Sequence, residues 1–395
     1  MPEGNPETPV DGRAVRLREL AWLFLKLGTT AFGGPAAHIA MMEDEVVTRR
    51  KWMSREKFLD LLGATNLIPG PNSTEMAIHV GHERAGWPGL VVAGVAFILP
   101  AAAIVTAIAW AYVRFGALPQ AEGILYGVKP VIIAVVLQAL WGLGKTAVKN
   151  RFLGVVAAAC LAASLAGLNE LVVLLAAGTV VAGWRRAADR RRGHGDGLAA
   201  CLMGLPILGA AAAPAAGIAA FGLWPLFLFF VKVGSVLFGS GYVLLAFLRA
   251  DLVERLGWMT ESQLLDAIAV GQITPGPVFT TATFVGYVLG GPRAALVATV
   301  GIFLPAFIFV ALSGPLIPRI RRSTTAGAVL DGVNVASLAL MAAVTLRLGR
   351  AALVDIPTAV LAIVAALALL KFRVSSAWLV VGGALAGSMV SRTFR

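Results

Sequence analysis

Apolar residues in this chain gather into long runs instead of alternating or marking one face of a helix. The runs cover 90–112, 124–143, 152–166, 171–181, 199–221, 294–312, 328–346, 356–370 and 377–390. A membrane-spanning helix needs roughly 20 apolar residues, so the pattern predicts an all-α polytopic membrane protein. Two more apolar stretches, 17–47 and 55–83, are interrupted by Gly33-Gly34-Pro35 and by Pro69-Gly70-Pro71. These predict helices that break inside apolar surroundings.

Composition strengthens the reading. With 58% hydrophobic and 14% charged residues and a mean hydropathy of +0.83, the chain cannot be wrapped as one water-soluble globule. The solvent for most of it is the lipid bilayer. A net charge of +12 does not call for nucleic acid, because the arginines sit in short clusters between spans, five of them in 184–192, where membrane topology accounts for them. The first twenty residues contain acids and prolines and no apolar core, which is unlike a cleavable signal; the N-terminus is expected to stay in the cytoplasm. Cys160 and Cys201 lie in apolar stretches without metal-site spacing, and His38, His79, His82 and His194 form no ligand pattern. No metal or cofactor is expected.

The chain also repeats itself. Residues 24–71 align without a gap on 230–277, and 14 of these 48 positions are identical. Among them are Lys26 with Lys232, Gly28 with Gly234, Phe32-Gly33 with Phe238-Gly239, Asp60 with Asp266, and Pro69-Gly70-Pro71 with Pro275-Gly276-Pro277. After a one-residue slip the match continues through Gly81 with Gly286 and Gly127-Val128 with Gly332-Val333. Basic loops stay cytoplasmic, which places 184–192 and 145–151 inside and 114–123 outside. The equivalent of that outer loop, 315–325, carries Arg319, Arg321 and Arg322 and belongs inside, so the two repeats are inverted. Segment 49–57 carries five basic residues and one acid, whereas 255–263 carries one of each. That difference favours re-entrant hairpins over broken full spans at 17–47 and 55–83.

The expected organisation is a cytoplasmic tail at 1–16, a first repeat at 17–184, a basic loop and linking transmembrane helix at 185–221, and a second, inverted repeat at 222–395. Each repeat holds two broken or re-entrant segments and about four transmembrane helices. Inverted repeats point to secondary transport, with the site at the repeat interface near the midplane.

Chemistry is expected at the breaks. Pro-Gly-Pro inside an apolar segment is tolerated only where protein or a water-filled cavity satisfies the backbone. Gly70 as N-cap and Pro71 as first helical residue leave the amides of Asn72 and Ser73 free, and Val278 and Phe279 follow Pro277 in the same way. Lys26 and Lys232 cost roughly 2.5–3.5 kcal/mol each at the bilayer centre and need an offset. One reading pairs them with Asp60 and Asp266; the other brings the two lysines together across the pseudo-two-fold axis around a dianion. Gly33, Gly34, Asn66, Thr74, Gly239, Gln272, Thr274 and Thr280 complete the candidate cradle. Glu75 in the first turn after Pro71 would repel an anion, and with Asp60 and Asp266 it is a candidate for proton coupling.

The motifs FGGP at 32–35, WMS at 52–54, NLIPGPNSTEMAIHVG at 66–81, LFGSGY at 237–242 and QITPGPVFTTATFVGY at 272–287 together resemble the chromate ion transporter family in its long, two-domain form. The resemblance covers both halves. It implies a bacterial inner-membrane protein that exports chromate and confers resistance to it, with sulfate as the close structural analogue. Half two departs from half one in having Ser240-Gly241 where half one has Gly34-Pro35, which implies an asymmetric site. Three competing functions remain: transport of sulfate or another oxyanion in either direction, a membrane enzyme or flippase acting on lipid phosphate, and a channel. The sequence has no GxxxxGK[ST] loop and no nucleophile with a base at motif spacing, and its later spans are nearly pure Ala, Val and Leu, so a carrier is favoured. A homodimer is the base-rate expectation for assembly.

Overall fold

The computed structural model describes residues 9–32, 34–116, 119–191, 221–238, 243–372, 374 and 376–393. The linking segment at 199–220, Cys201, His194, Gly33, Gly239 and the Ser240-Gly241 departure lie outside the described residues. Among those described there are fourteen α-helices and no strand.

The first repeat begins with α1 (Pro9–Thr30), α2 (Gly34–Glu43) running into a π-turn (Asp44–Arg49), and α3 (Arg55–Thr65). It continues with α4 (Asn72–Phe115), α5 (Pro119–Ala147), α6 (Arg151–Leu165) and α7 (Glu170–Arg191). The second repeat has α8 (Leu223–Val236), α9 (Leu244–Leu248) with its own π-turn (Arg249–Arg255), α10 (Glu261–Ile273) and α11 (Thr281–Arg322). It closes with α12 (Thr324–Ala352), α13 (Ile356–Phe372) and α14 (Ser376–Thr393).

Neither α4 nor α11 is straight. Ala85 and Gly86 leave helical geometry in α4, as Gly290 and Gly291 do in α11, with Gly86 and Gly291 at φ +66° and +70°. The chain folds back there so tightly that a Cβ on Gly81 would lie 2.2 Å from the Gly89 carbonyl oxygen, and one on Gly286 would lie 2.4 Å from that of Ala294. Each long helix is therefore a short limb, 72–84 in α4, followed by a full crossing.

Side-chain pairs show that the broken segments are re-entrant. Lys26 on α1 reaches Glu45 after the break at 2.8 Å, so α1 and α2 run antiparallel and share one face of the membrane. Lys57 at the start of α3 meets Glu83 at the end of the short limb at 3.0 Å, and Arg84 joins Glu19 of α1 at 3.0 Å. All four ends of these two hairpins lie on this face, here face 1. The crossing limb of α4 then leads to face 2, α5 back to face 1, α6 to face 2 and α7 back again.

The second repeat is inverted with respect to the first. Lys149, where α5 returns to face 1, bonds Asp331 in the second turn of α12 at 2.6 Å. Tyr126 near the face-2 end of α5 bonds Asp355, which follows α12, also at 2.6 Å. Arg347 in the last turns of α12 donates to the carbonyl of Ser164 at the end of α6. Thus α12 starts on face 1 and ends on face 2, opposite to its counterpart α5. The basic segments 49–57, 145–151 and 184–191 share face 1.

The repeats are interwoven, which the linear division into halves did not foretell. Helices α6 and α7 pack on α12, while α13 and α14 pack on α5. Glycines make this possible, since small residues let helix backbones approach in lipid. A Cβ on Gly127 would sit 2.0 Å from the Gly383 carbonyl oxygen, and one on Gly332 would sit 2.5 Å from that of Ala177. Gly127→Val is expected to lower stability by roughly 1–3 kcal/mol through overpacking, read as a lower thermal midpoint in detergent. Gly142→Ala on the same helix, where nothing lies within 4 Å, is expected to leave it unchanged.

Among the described residues, five helices are long and apolar enough to cross a bilayer, namely Asn72–Phe115, Gly123–Ala147, Glu170–Ala188, Val278–Ser313 and Thr324–Ala352. Exposed Trp87, Trp110, Trp141, Trp184, Trp224 and Trp378 sit toward helix ends, as side chains do at a membrane interface.

Candidate functional site

Each Pro-Gly-Pro turn is tied to the end of the first helix of the other repeat. The Gly70 amide donates to the carbonyl of Leu237 at the end of α8 (2.7 Å), and the Gly276 amide donates to that of Ala31 at the end of α1 (2.9 Å). Donors and acceptors are repeat equivalents, so each break is held by the other repeat. Two helix ends (α1, α8) and two helix starts (α4, α11) thereby converge inside the bundle. Gly70 has φ +143° and Gly276 φ +84°, and both are packed. A Cβ on Gly276 would meet that of Ala101 at 2.7 Å, and one on Gly70 would meet Oε1 of Glu75 at 2.2 Å.

Capping differs from expectation by one residue. Pro71, in extended conformation, is the N-cap and Asn72 the first helical residue, with no side-chain cap. Proline keeps its extended ψ of 94° because Gly70, not the proline, makes the turn. The amides of Thr74 and Glu75 both return to the Pro71 carbonyl, while those of Asn72 and Ser73 have no acceptor within the helix. In repeat two, Pro277 caps a 3-10 turn at Val278–Thr280 before α11 begins, so Val278 and Phe279 hold the equivalent amides.

The side chains around the two breaks are unequal. The Asn72 side-chain amide (Nδ2) donates to Oδ1 of Asn66 (2.9 Å), and Asn66 is exposed at the break. Ser73, Thr74 and Glu75 are buried, and among the described residues neither the Thr74 hydroxyl nor either Glu75 oxygen has a hydrogen-bond partner. In repeat two, Thr274 and Thr280 spend their hydroxyl protons on the backbone carbonyls of Val270 and Pro277. Pro69 and Pro275 precede the turning glycines, Gln272 is half-buried in the last turn of α10, and Gly34 begins α2 at φ +80°. The side chains able to face a ligand thus lie mainly in repeat one.

The lysines take partners other than those expected. Lys26 pairs with Glu45 at 2.8 Å and Lys232 with Asp251 at 2.6 Å, whereas Asp60 lies exposed on α3. Arg50 also reaches Glu45, and Arg255 reaches Asp251. Glu45 and Asp251 are equivalent in the repeats, 19 residues beyond their lysines. That spacing was legible in the sequence, but the pair is acid with acid, not identical. Asp266, buried, binds the Tyr112 hydroxyl at 2.9 Å and Lys129 at 3.4 Å. Lys129 also donates to Ser262 at 2.7 Å, tying α5 to α10 on the face-2 side. Sequence reasoning missed Lys129, although a lysine inside an apolar span is itself a signal.

On the face-1 side a cavity of about 480 Å³ extends from the first break toward the surface. Asn66 and Asn72 border it at the break, Phe238 and Val243 border it from repeat two, and Thr146, Lys149, Asp331, Asn334 and Ser337 line it from α5 and α12. The later spans are therefore more than scaffold.

The sequence model of the chromate transporter family matches residues 18–184 and again 224–388. The chain belongs to the chromate transporter family. The two matches coincide with the two repeats. The chromate transport protein of Cupriavidus metallidurans is 35% identical over 380 residues, covering 94% of this chain and 92% of that protein. The chromate transport protein of Pseudomonas aeruginosa is 33% identical over 345 residues, covering 85% and 82%. A probable chromate transport protein of Synechococcus elongatus is 30% identical over 354 residues, covering 89% of each. No solved structure matches.

Proposed function

We propose that this member of the chromate transporter family is a secondary transporter that exports chromate across the bacterial inner membrane and confers resistance to it. The crossed ties, from the Gly70 amide to Leu237 and from the Gly276 amide to Ala31, carry the reading. They hold each helix N-terminus, with its free amides, against the other repeat, and at such a repeat interface amide donors and helix dipoles favour an anion. The names of the relatives support chromate as the substrate. Sulfate has the same shape and charge and competes for the site.

Face 1 is cytoplasmic in this reading, because the basic segments 49–57, 145–151 and 184–191 lie there and basic loops stay cytoplasmic. The N-terminus is then cytoplasmic too. The cavity opens to that side, while Lys129 bridges the equivalent position on the other, which corresponds to an inward-open state of alternating access. Lys26 and Lys232, held by Glu45 and Asp251 near the ends of α1 and α8, supply positive charge to the site.

Glu75 lies against Gly70 without a partner among the described residues and is the coupling carboxyl in this scheme. Chromate uptake into everted vesicles is expected to vary with pH in the wild type and to lose that dependence in Glu75→Gln. An unchanged profile in the variant removes the coupling role. Wild-type uptake blocked by excess sulfate supports the substrate reading, and uptake no greater than in vesicles without the protein overturns it.

A further inference from the structure

The face-1 cavity contains polar groups that neither packing nor the broken helices require. Ser337 is 3% exposed, its hydroxyl has no hydrogen-bond partner among the described residues, and it stands in the cavity wall on α12. A serine in a transmembrane helix ordinarily returns its proton to a carbonyl one turn back, as Thr345 on the same helix does to Met341. A buried polar group left without a partner costs free energy, so an unsatisfied hydroxyl on a residue of the cavity wall marks a place where a partner comes and goes. Asn334, one turn earlier, lines the same wall, and across it stand Asn66 and Asn72 of the first break.

The repeat relation adds a second, independent argument. Asn334 occupies the position that Lys129 holds in repeat one, since Gly127-Val128 aligns on Gly332-Val333. Lys129 is engaged by Ser262 and Asp266, so on face 2 this position is bridged. On face 1 it is a neutral amide beside open space. At the mouth, Lys149 and Arg185 share the carboxylate of Asp331 at 2.6 and 3.4 Å, which leaves net positive charge where an anion arrives.

We infer that Ser337 and Asn334 form an oxyanion subsite on α12, distinct from the paired helix starts, which receives a tetrahedral dianion from face 1 and passes it to Asn66 and Asn72 at the first break. The ligands are neutral donors, which hold the anion loosely enough to release it. Lys149 and Arg185 concentrate the anion at the mouth and do not bind it in the subsite. The inference rests on the transport reading above and adds a specificity site contributed by the opposite repeat.

The test measures initial rates of chromate flux in proteoliposomes for wild type, Ser337→Ala, Ser337→Thr and Asn334→Asp. A hydrogen bond to a charged ligand is lost in Ser337→Ala, so its KM is expected to rise about tenfold with turnover within about twofold. Ser337→Thr keeps the hydroxyl and is expected to restore the wild-type KM. A carboxylate at position 334 repels the anion, and KM is expected to rise at least about tenfold. Wild-type KM in both Ser337→Ala and Asn334→Asp overturns the subsite.

A second measurement does not depend on flux. In purified protein carrying Cys160→Ala and Cys201→Ala, the rate at which a small water-soluble thiol reagent labels Ser337→Cys is measured with and without sulfate, molybdate or phosphate. Slowing by any of these tetrahedral oxyanions, with no slowing by chloride at equal ionic strength, supports the subsite even if the wild type moves no chromate. Equal rates throughout overturn it. Failure of chromate flux with protection intact counts against the chromate assignment alone.

Discussion

Alanine in place of Gly276 lowers chromate flux at least about a hundredfold, the loss that a displacement on the order of 1 Å produces at a preorganised site. Two effects act together. Gly276 has φ +84°, which a residue with a Cβ adopts at a cost of roughly 1–2 kcal/mol, and the new methyl meets Ala101 and the Gly28 carbonyl at 2.7 and 3.0 Å. Relief moves the turn, and with it the amide that holds the end of α1 through Ala31. Gly34→Ala separates the two effects, because Gly34 has φ +80° but nothing within 4 Å of its Cβ position. It is expected to lose stability and to keep most of its flux. Initial rates per unit of folded protein in proteoliposomes decide the matter; flux for Gly276→Ala within twofold of wild type would show that the crossed turns do not shape the site.

Removal of the Glu45 carboxylate has the second large effect. Glu45→Ala leaves Lys26, about half exposed, and Arg50 without their shared buried partner, at a cost of roughly 1–3 kcal/mol. A lower yield of folded protein is expected. Lys26→Met combined with Glu45→Met and Arg50→Met removes all three charges and is expected to recover folded protein, measured by monodisperse elution and thermal midpoint. Its chromate flux is expected to stay low, because the charge that Lys26 lends to the site is gone. Recovery of flux along with folding would make Lys26 structural and leave the anion to the amides alone.

Much of the fold was legible because lipid imposes simple rules on sequence. Runs such as 124–143 and 328–346 are spans since nothing else tolerates that length of apolar chain, and α5 and α12 cover them. The charge contrast between 49–57 and 255–263 foretold the hairpins, which the Lys26–Glu45 and Lys57–Glu83 pairs display. The partners of the lysines were missed because the repeats were compared by identity, and Glu45 matches Asp251 in charge only. The one-residue shift of the cap reflects a local choice between Gly70 and Pro71 that periodicity does not encode. Lys129, Asn334 and Ser337 drew no attention because each interrupts an otherwise ordinary span. Their significance arises from α12 crossing against repeat one, an arrangement set by the close approaches at Gly127 and Gly332 and invisible in hydropathy.

The most direct test of the account is a structure of the purified transporter with chromate bound, the chromium located by its anomalous scattering. The account predicts one chromium at the Pro-Gly-Pro turns, with its oxygens within hydrogen-bonding reach of the backbone amides of Asn72 and Ser73 or of Val278 and Phe279. A chromium bound only away from both turns would contradict it.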